Sequence, residues 1–152
     1  MAVLSEGGIA DELAIRRLTA AFSDAVSRRD RAAFEALWAP DGRWLVPGLE
    51  ETVGPAAAAE QLLRLVEPFE FLLQLLHEGQ VWVDETGGRA RWYIVEHGRT
   101  KEGQGVHYVG VYQDRHVRTD GGWRFARRHF ELLYRGFAEL AGKAYLSPAL
   151  DW

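Results

Sequence analysis

The chain has no cysteine, one methionine and only two lysines, Lys101 and Lys143. Without cysteine there is no disulfide framework, no thiol nucleophile and no thiolate metal site. With so little lysine and a formal net charge of -4, no basic field is available to neutralise phosphates, and nucleic acid is not an expected partner. No apolar run approaches membrane-spanning length, and Met1 to Gly8 lacks the basic-then-apolar order of a secretory signal, so a soluble cytoplasmic protein is expected. His97, His107, His116 and His129 fall on strand-like segments without helical i, i+4 spacing or a local carboxylate pattern, and no metal or other cofactor is expected. Ser5, Ser23, Ser27 and Ser147 lack a nucleophile-elbow context, and Gly103-Gln104-Gly105 reads as a hairpin turn rather than a phosphate loop.

What remains is a chain of 152 residues, 47% apolar, with the size and composition of one domain. Ile15, Leu18, Phe22, Ala25 and Val26 recur at helical spacing and predict an amphipathic helix from Asp11 to about Arg28. Asp30 can cap a second helix, Arg31 to Trp38, ended by the turn Pro40-Asp41-Gly42, after which Arg43 to Val46 reads as a short strand. Gly54-Pro55 opens a third helix. Beyond Pro68, turns at Gly87-Gly88, Glu102-Gly103 and Asp120-Gly121-Gly122 join strands over Leu72–Asp84, Ala90–Thr100, Val106–Val117 and Trp123–Tyr134. Helices first and an antiparallel meander after define an α+β fold, and no linker or internal repeat divides it. The outer strand faces, with Tyr93, Val95, Val109, Val111 and Leu133, carry enough apolar surface to predict a homodimer or homotrimer.

His77 is the first candidate for chemistry, because it interrupts an apolar run from Phe69 just before the strand-like Gln80-Val81-Trp82-Val83. An imidazole there holds or releases a proton near neutral pH while its neighbours exclude water; the ordinary alternative is a core histidine bonded to a backbone carbonyl. Alternation places Ala126, Arg128, Phe130 and Leu132 on the inner face of the last strand and brings Glu96, Trp92, Tyr108 and Tyr112 into consideration on its neighbours. A buried Arg128 either forms a structural ion pair with an acid such as Glu96 or serves as a fixed cation for a developing oxyanion or departing anion.

The ordered set Ile15-Arg16-Arg17-Leu18, Asp30 to Phe34, Leu37 to Trp44, Gly54-Pro55, His77, Gly110 to Arg115 and Asp120 to Phe125 resembles the SnoaL-like group of the nuclear transport factor 2-like superfamily. The resemblance covers residues from about 10 to 135. It implies one SnoaL-like domain over 1–152 with a C-terminal extension from 136 to 152. The implied cystatin-like architecture is a cone-shaped curved antiparallel sheet wrapped around N-terminal helices, with an apolar pocket between them, usually in a dimer or trimer. Within the superfamily the chain is most similar to the branch of scytalone dehydratase, bile-acid dehydratase and lindane dehydrochlorinase, which work without cofactors. That similarity implies His77 as catalytic base and Arg128 as pocket arginine. The aspartate that orients the histidine in that branch falls near Ser27, and the dehydrochlorinase lysine falls on Phe22, so the dyad is not preserved; Asp24, Asp30 or Glu96 are the possible substitutes.

The resulting expectation is a lyase or isomerase acting by dehydratase-like proton abstraction on a small apolar, cyclic substrate. His77 would take the proton and Arg128, aided by Tyr108 or Tyr112, would stabilise the negative charge. Trp44, Trp92 and Phe130 would form apolar walls. A non-catalytic subunit that binds a hydrophobic ligand is the rival, favoured by Ser27 at the aspartate position, and a polyketide-type cyclase is a third option.

Overall fold

In the computed structural model the described residues are 6–148, with side chains described from Gly8 onward. Ser5, most of the Met1–Gly8 segment and the end of the extension, 149–152, lie outside them. Helix α1 (Glu6–Arg28) buries Ile15, Leu18, Phe22, Ala25 and Val26, the stripe expected from the spacing. It ends where Arg29 takes a left-handed φ of 57° and sends its guanidinium to the Phe69 carbonyl at 2.7 Å. Asp30 then caps α2 (Arg31–Glu35) by accepting from the Ala33 N–H at 2.9 Å.

The second helix is shorter than predicted, because Trp38 begins β1 (Trp38–Leu45). Trp38 pairs with Phe125 and their rings pack 5.4 Å apart, so aromatic burial overrides helical propensity, and the expected turn at Pro40 to Gly42 becomes an irregularity inside the strand. A two-residue strand, β2 (Thr52–Val53), escaped the sequence reading. Pro55 opens α3 (Pro55–Val66) as expected.

The meander follows as β3 (Phe69–Asp84), β4 (Gly87–Thr100), β5 (Gly105–Thr119) and β6 (Gly122–Phe137). The sheet has the order β2-β1-β6-β5-β4-β3, with β1 parallel to β6 and every other pairing antiparallel. Helix α1 packs against β3 and β6, and α3 against β1. The core they enclose centres on Phe22, Phe34, Trp38, Trp44 and Phe125.

Bulges decide which side chains face that core. On β6 the extra residue Ala126 turns Trp123 and Phe125 inward along with Arg128. On β3 the pairing skips from Leu76 to Gly79, and His77 and Glu78 both stand exposed opposite Tyr93. On the outer face Tyr93 and Leu133 are exposed as expected; Val111 is not, since it is fully covered by its neighbours, and Val95 and Val109 are half-buried. Among the described residues no helix is long and apolar enough to cross a membrane.

Candidate functional site

Between α1, α3 and the concave face of the sheet lies a cavity of about 290 Å³, near the lower bound for small-molecule sites. Val26, Leu62, Leu65 and Val66 line it from the helices, and Trp44, Phe69, Leu72 and Phe130 from the strands. Gly110 leaves room for one wall, since a β-carbon there would run into the Phe130 ring. Against this apolar lining the polar groups are Gln74, Glu96, Tyr108, Tyr112 and Arg135.

Gln74 organises them. Its side-chain nitrogen donates to Glu96 Oε1 at 2.8 Å and to the Tyr112 hydroxyl oxygen at 3.3 Å, and its oxygen accepts from the Ser23 hydroxyl at 2.9 Å. The register places the residues for this, with Gln74 opposite Glu96 and Glu96 opposite Tyr108. The Glu96 carboxyl is raised above the usual carboxylate range by burial, which outweighs the Gln74 hydrogen bond that lowers it. Burial also raises the Tyr112 hydroxyl, so it stays protonated and, having accepted from Gln74, keeps its own proton free to donate. Trp44 Nε1 is buried within the wall and has no hydrogen-bond partner.

Five of the residues expected here, Trp44, Glu96, Tyr108, Tyr112 and Phe130, line the cavity. His77 does not. The β3 bulge turns it to solvent, and the inward position on that strand belongs to Gln74. Arg128 is fully buried but lies behind the wall, where its Nε is 3.1 Å from Asp114 Oδ1. That separation makes an ion pair. The acid facing Arg128 is therefore Asp114, not Glu96. The guanidinium is stacked on Tyr112 at 3.8 Å, Phe22 at 4.1 Å and Phe125 at 4.4 Å, so it reaches the cavity only through the Tyr112 ring. Phe22 and Trp92 are core residues rather than lining. Ser27 accepts from the Gln74 backbone N–H at 3.2 Å and lines a separate groove under the C-terminal extension; the hydroxyl beside the cavity network is that of Ser23. Asp24 and Asp30 both pair with Arg28, and neither replaces the missing dyad acid. Gln74, Arg135 and the α3 leucines went unread in the sequence because an amide in an apolar run carries no pattern of its own.

The SnoaL-like domain family matches residues 8–129. The chain belongs to that family. It is 26% identical over 147 residues to the gamma-hexachlorocyclohexane dehydrochlorinase of Sphingobium indicum, covering 92% of this chain and 90% of that protein. The crystal structure of the hexachlorocyclohexane dehydrochlorinase LinA-type3 from Novosphingobium barchaimii superposes with a TM-score of 0.80 at 22% identity, over 92% of this chain and 97% of the other. A nuclear transport factor 2-like protein with a cystatin-like fold from Novosphingobium aromaticivorans matches at 0.65 and 25% identity, over 82% and 83%. This member of the SnoaL-like family thus has the α+β cone expected of it, with a different polar set inside.

Proposed function

We propose that the protein is a cofactor-independent lyase or isomerase in which Glu96, not His77, accepts the proton. The carrying observation is the Glu96 carboxyl, raised by burial, held by Gln74 and set in an apolar cavity as its one carboxylate. Such a base is poorly hydrated and better matched to a carbon acid than a carboxylate in water. A substrate carbonyl would take its hydrogen bond from Tyr112. Glu96 removes a proton from the adjacent carbon, and the C–H electron pair moves toward the carbonyl oxygen, whose developing charge Tyr112 stabilises. Collapse of that enolate then either expels a β substituent with its bonding pair or, where the substrate is β,γ-unsaturated and the anion a dienolate, takes the proton back from Glu96 at the γ carbon, giving elimination or isomerisation. Similarity to a dehydrochlorinase supports the elimination arm. The cavity volume fits a substrate of one or two rings.

The test is proton exchange. In D2O, NMR of small cyclic ketones and β,γ-unsaturated ketones should show α-deuteration that depends on the protein, and Glu96→Gln should slow it by about a hundredfold or more. Equal exchange in both proteins removes Glu96 from the mechanism. A second reading, a non-catalytic carrier of a small apolar ligand, is favoured by the amide of Gln74 where an imidazole was expected. Tight binding of such ketones without exchange would support it.

A further inference from the structure

On the convex face of the sheet, away from the cavity, β4 and β5 set His97 directly opposite His107. Their Nδ1 atoms are 3.2 Å apart and their ring centroids 4.7 Å apart, with the planes tilted by 51°. Two imidazoles bound to one tetrahedral ion at about 2.0–2.1 Å place their nitrogens ~3.3 Å and their ring centres ~5 Å apart. A collinear N–H···N hydrogen bond of the same length would separate the centres by ~5.5 Å. The rings are thus turned off the line joining the two nitrogens, closer to the separation of two ligands on one ion than to that of a collinear hydrogen bond. Both rings are half-buried, which limits their rotation. Gly136, opposite His107, has no side chain to cover the site, and the Tyr134 ring lies across it, edge-on to His107 at 5.9 Å.

We propose that His97 and His107 form a cross-strand clamp for a divalent transition-metal ion of borderline softness, zinc above all. Water, or a side chain of a second copy on this face, completes the coordination. Neutral imidazole is the ligand such ions favour, and two of them fixed at the tetrahedral separation need no rearrangement on binding. The clamp lies on the opposite face of the sheet from Glu96, which His97 follows directly in β4, and takes no part in the proposed reaction; it staples β4 to β5. The pair was invisible to sequence spacing because strand register, not proximity along the chain, makes it.

Zinc chloride titrated calorimetrically into tag-free, chelator-treated protein at pH 7.5 should reveal one site per chain of micromolar affinity, and zinc should raise the melting temperature. His97→Gln and His107→Gln should each weaken binding more than tenfold and abolish the thermal shift. His77→Gln and His129→Gln should leave both intact. Circular dichroism of each variant verifies that it folds. No binding by the folded wild type, or equal binding by the folded His97→Gln and His107→Gln proteins, overturns the clamp.

Discussion

The Gln74 side-chain amide lies 2.8 Å from Glu96 Oε1 and tethers it from the facing strand, while the Ser23 hydroxyl fixes the orientation of that amide. Because the bond favours the ionised carboxylate, its removal must raise the Glu96 pKa further. A base is active when unprotonated, so turnover should rise with pH through that raised pKa. In Gln74→Leu the rising limb should move to higher pH, as a pH–rate profile will show. A profile that falls with pH over the same range would make Glu96 an acid instead.

Arg128 and Asp114 form a fully buried pair, and both titrate away from their ordinary values because burial disfavours the charged forms: the carboxyl is raised to about 6 and the guanidinium is lowered. Removing one partner leaves an uncompensated charge. Arg128→Met or Asp114→Leu alone should therefore cost about 3–5 kcal/mol in urea denaturation, and the double variant should recover much of that loss. An Arg128→Met protein of native stability but without activity would instead make the arginine a catalytic residue.

How much of this was legible in the sequence follows from the range of the forces involved. Helical stripes and hairpin turns are local patterns, so α1, α3 and the three hairpins could be read from spacing and turn chemistry. Bulges are not local. The extra residues at His77–Glu78 and at Ala126 reset the two-residue alternation, sending His77 outward and Phe125 inward, and simple alternation cannot anticipate either. Glu96, Tyr108, Tyr112 and Phe130 keep the faces that alternation predicts, because β4 and β5 pair without a register shift and the extra β6 residue Leu133 lies beyond Phe130. Arg128 is buried as alternation predicts, but its partner on β5 is set by the β5–β6 pairing, where Asp114 stands opposite it.

His77 should be dispensable, since it is exposed at a bulge and outside the cavity lining. His77→Gln should keep turnover within twofold and stability within about 0.5 kcal/mol, the usual range for surface substitutions. A hundredfold loss of activity would restore it as the base and require β3 to change register in solution.

Leu73, Leu75, Trp82, Tyr93, Leu133 and Tyr134 are all exposed, most of them on the sheet's outer face. This is more apolar surface than a small monomer ordinarily leaves in water. Light scattering should report a dimer or trimer, and Tyr93→Glu should shift it toward monomer. A monomeric wild type at micromolar concentration would show that the face is tolerated wet.

His116 is buried against the Phe125 ring, 5.1 Å between centroids, with Asp114 4.0 Å away and the Arg128 charge nearby. Burial, followed by repulsion from Arg128, lowers its pKa to about 3. An unfolded histidine titrates near 6.5, so the unfolded chain binds an extra proton between those limits. The stabilising contribution is complete above pH 6.5 and is lost progressively as pH falls toward 3. Asp114 acts in the opposite sense: its raised pKa favours the folded state as pH falls from about 6 to the ordinary carboxylate range. The net acid sensitivity of the protein therefore mixes the two, and the clean quantity is the difference from His116→Gln, which keeps Asp114 and removes the titrating ring. The variant should be less stable at pH 7.5, because a packed ring is lost, and the gap should narrow by about 1.4 kcal/mol for each pH unit below 6. Urea midpoints at pH 7.5, 5.5 and 4.5 will measure it. A gap independent of pH would mean that His116 takes up its proton in the folded protein as readily as in the unfolded one, with Asp114 supporting the imidazolium.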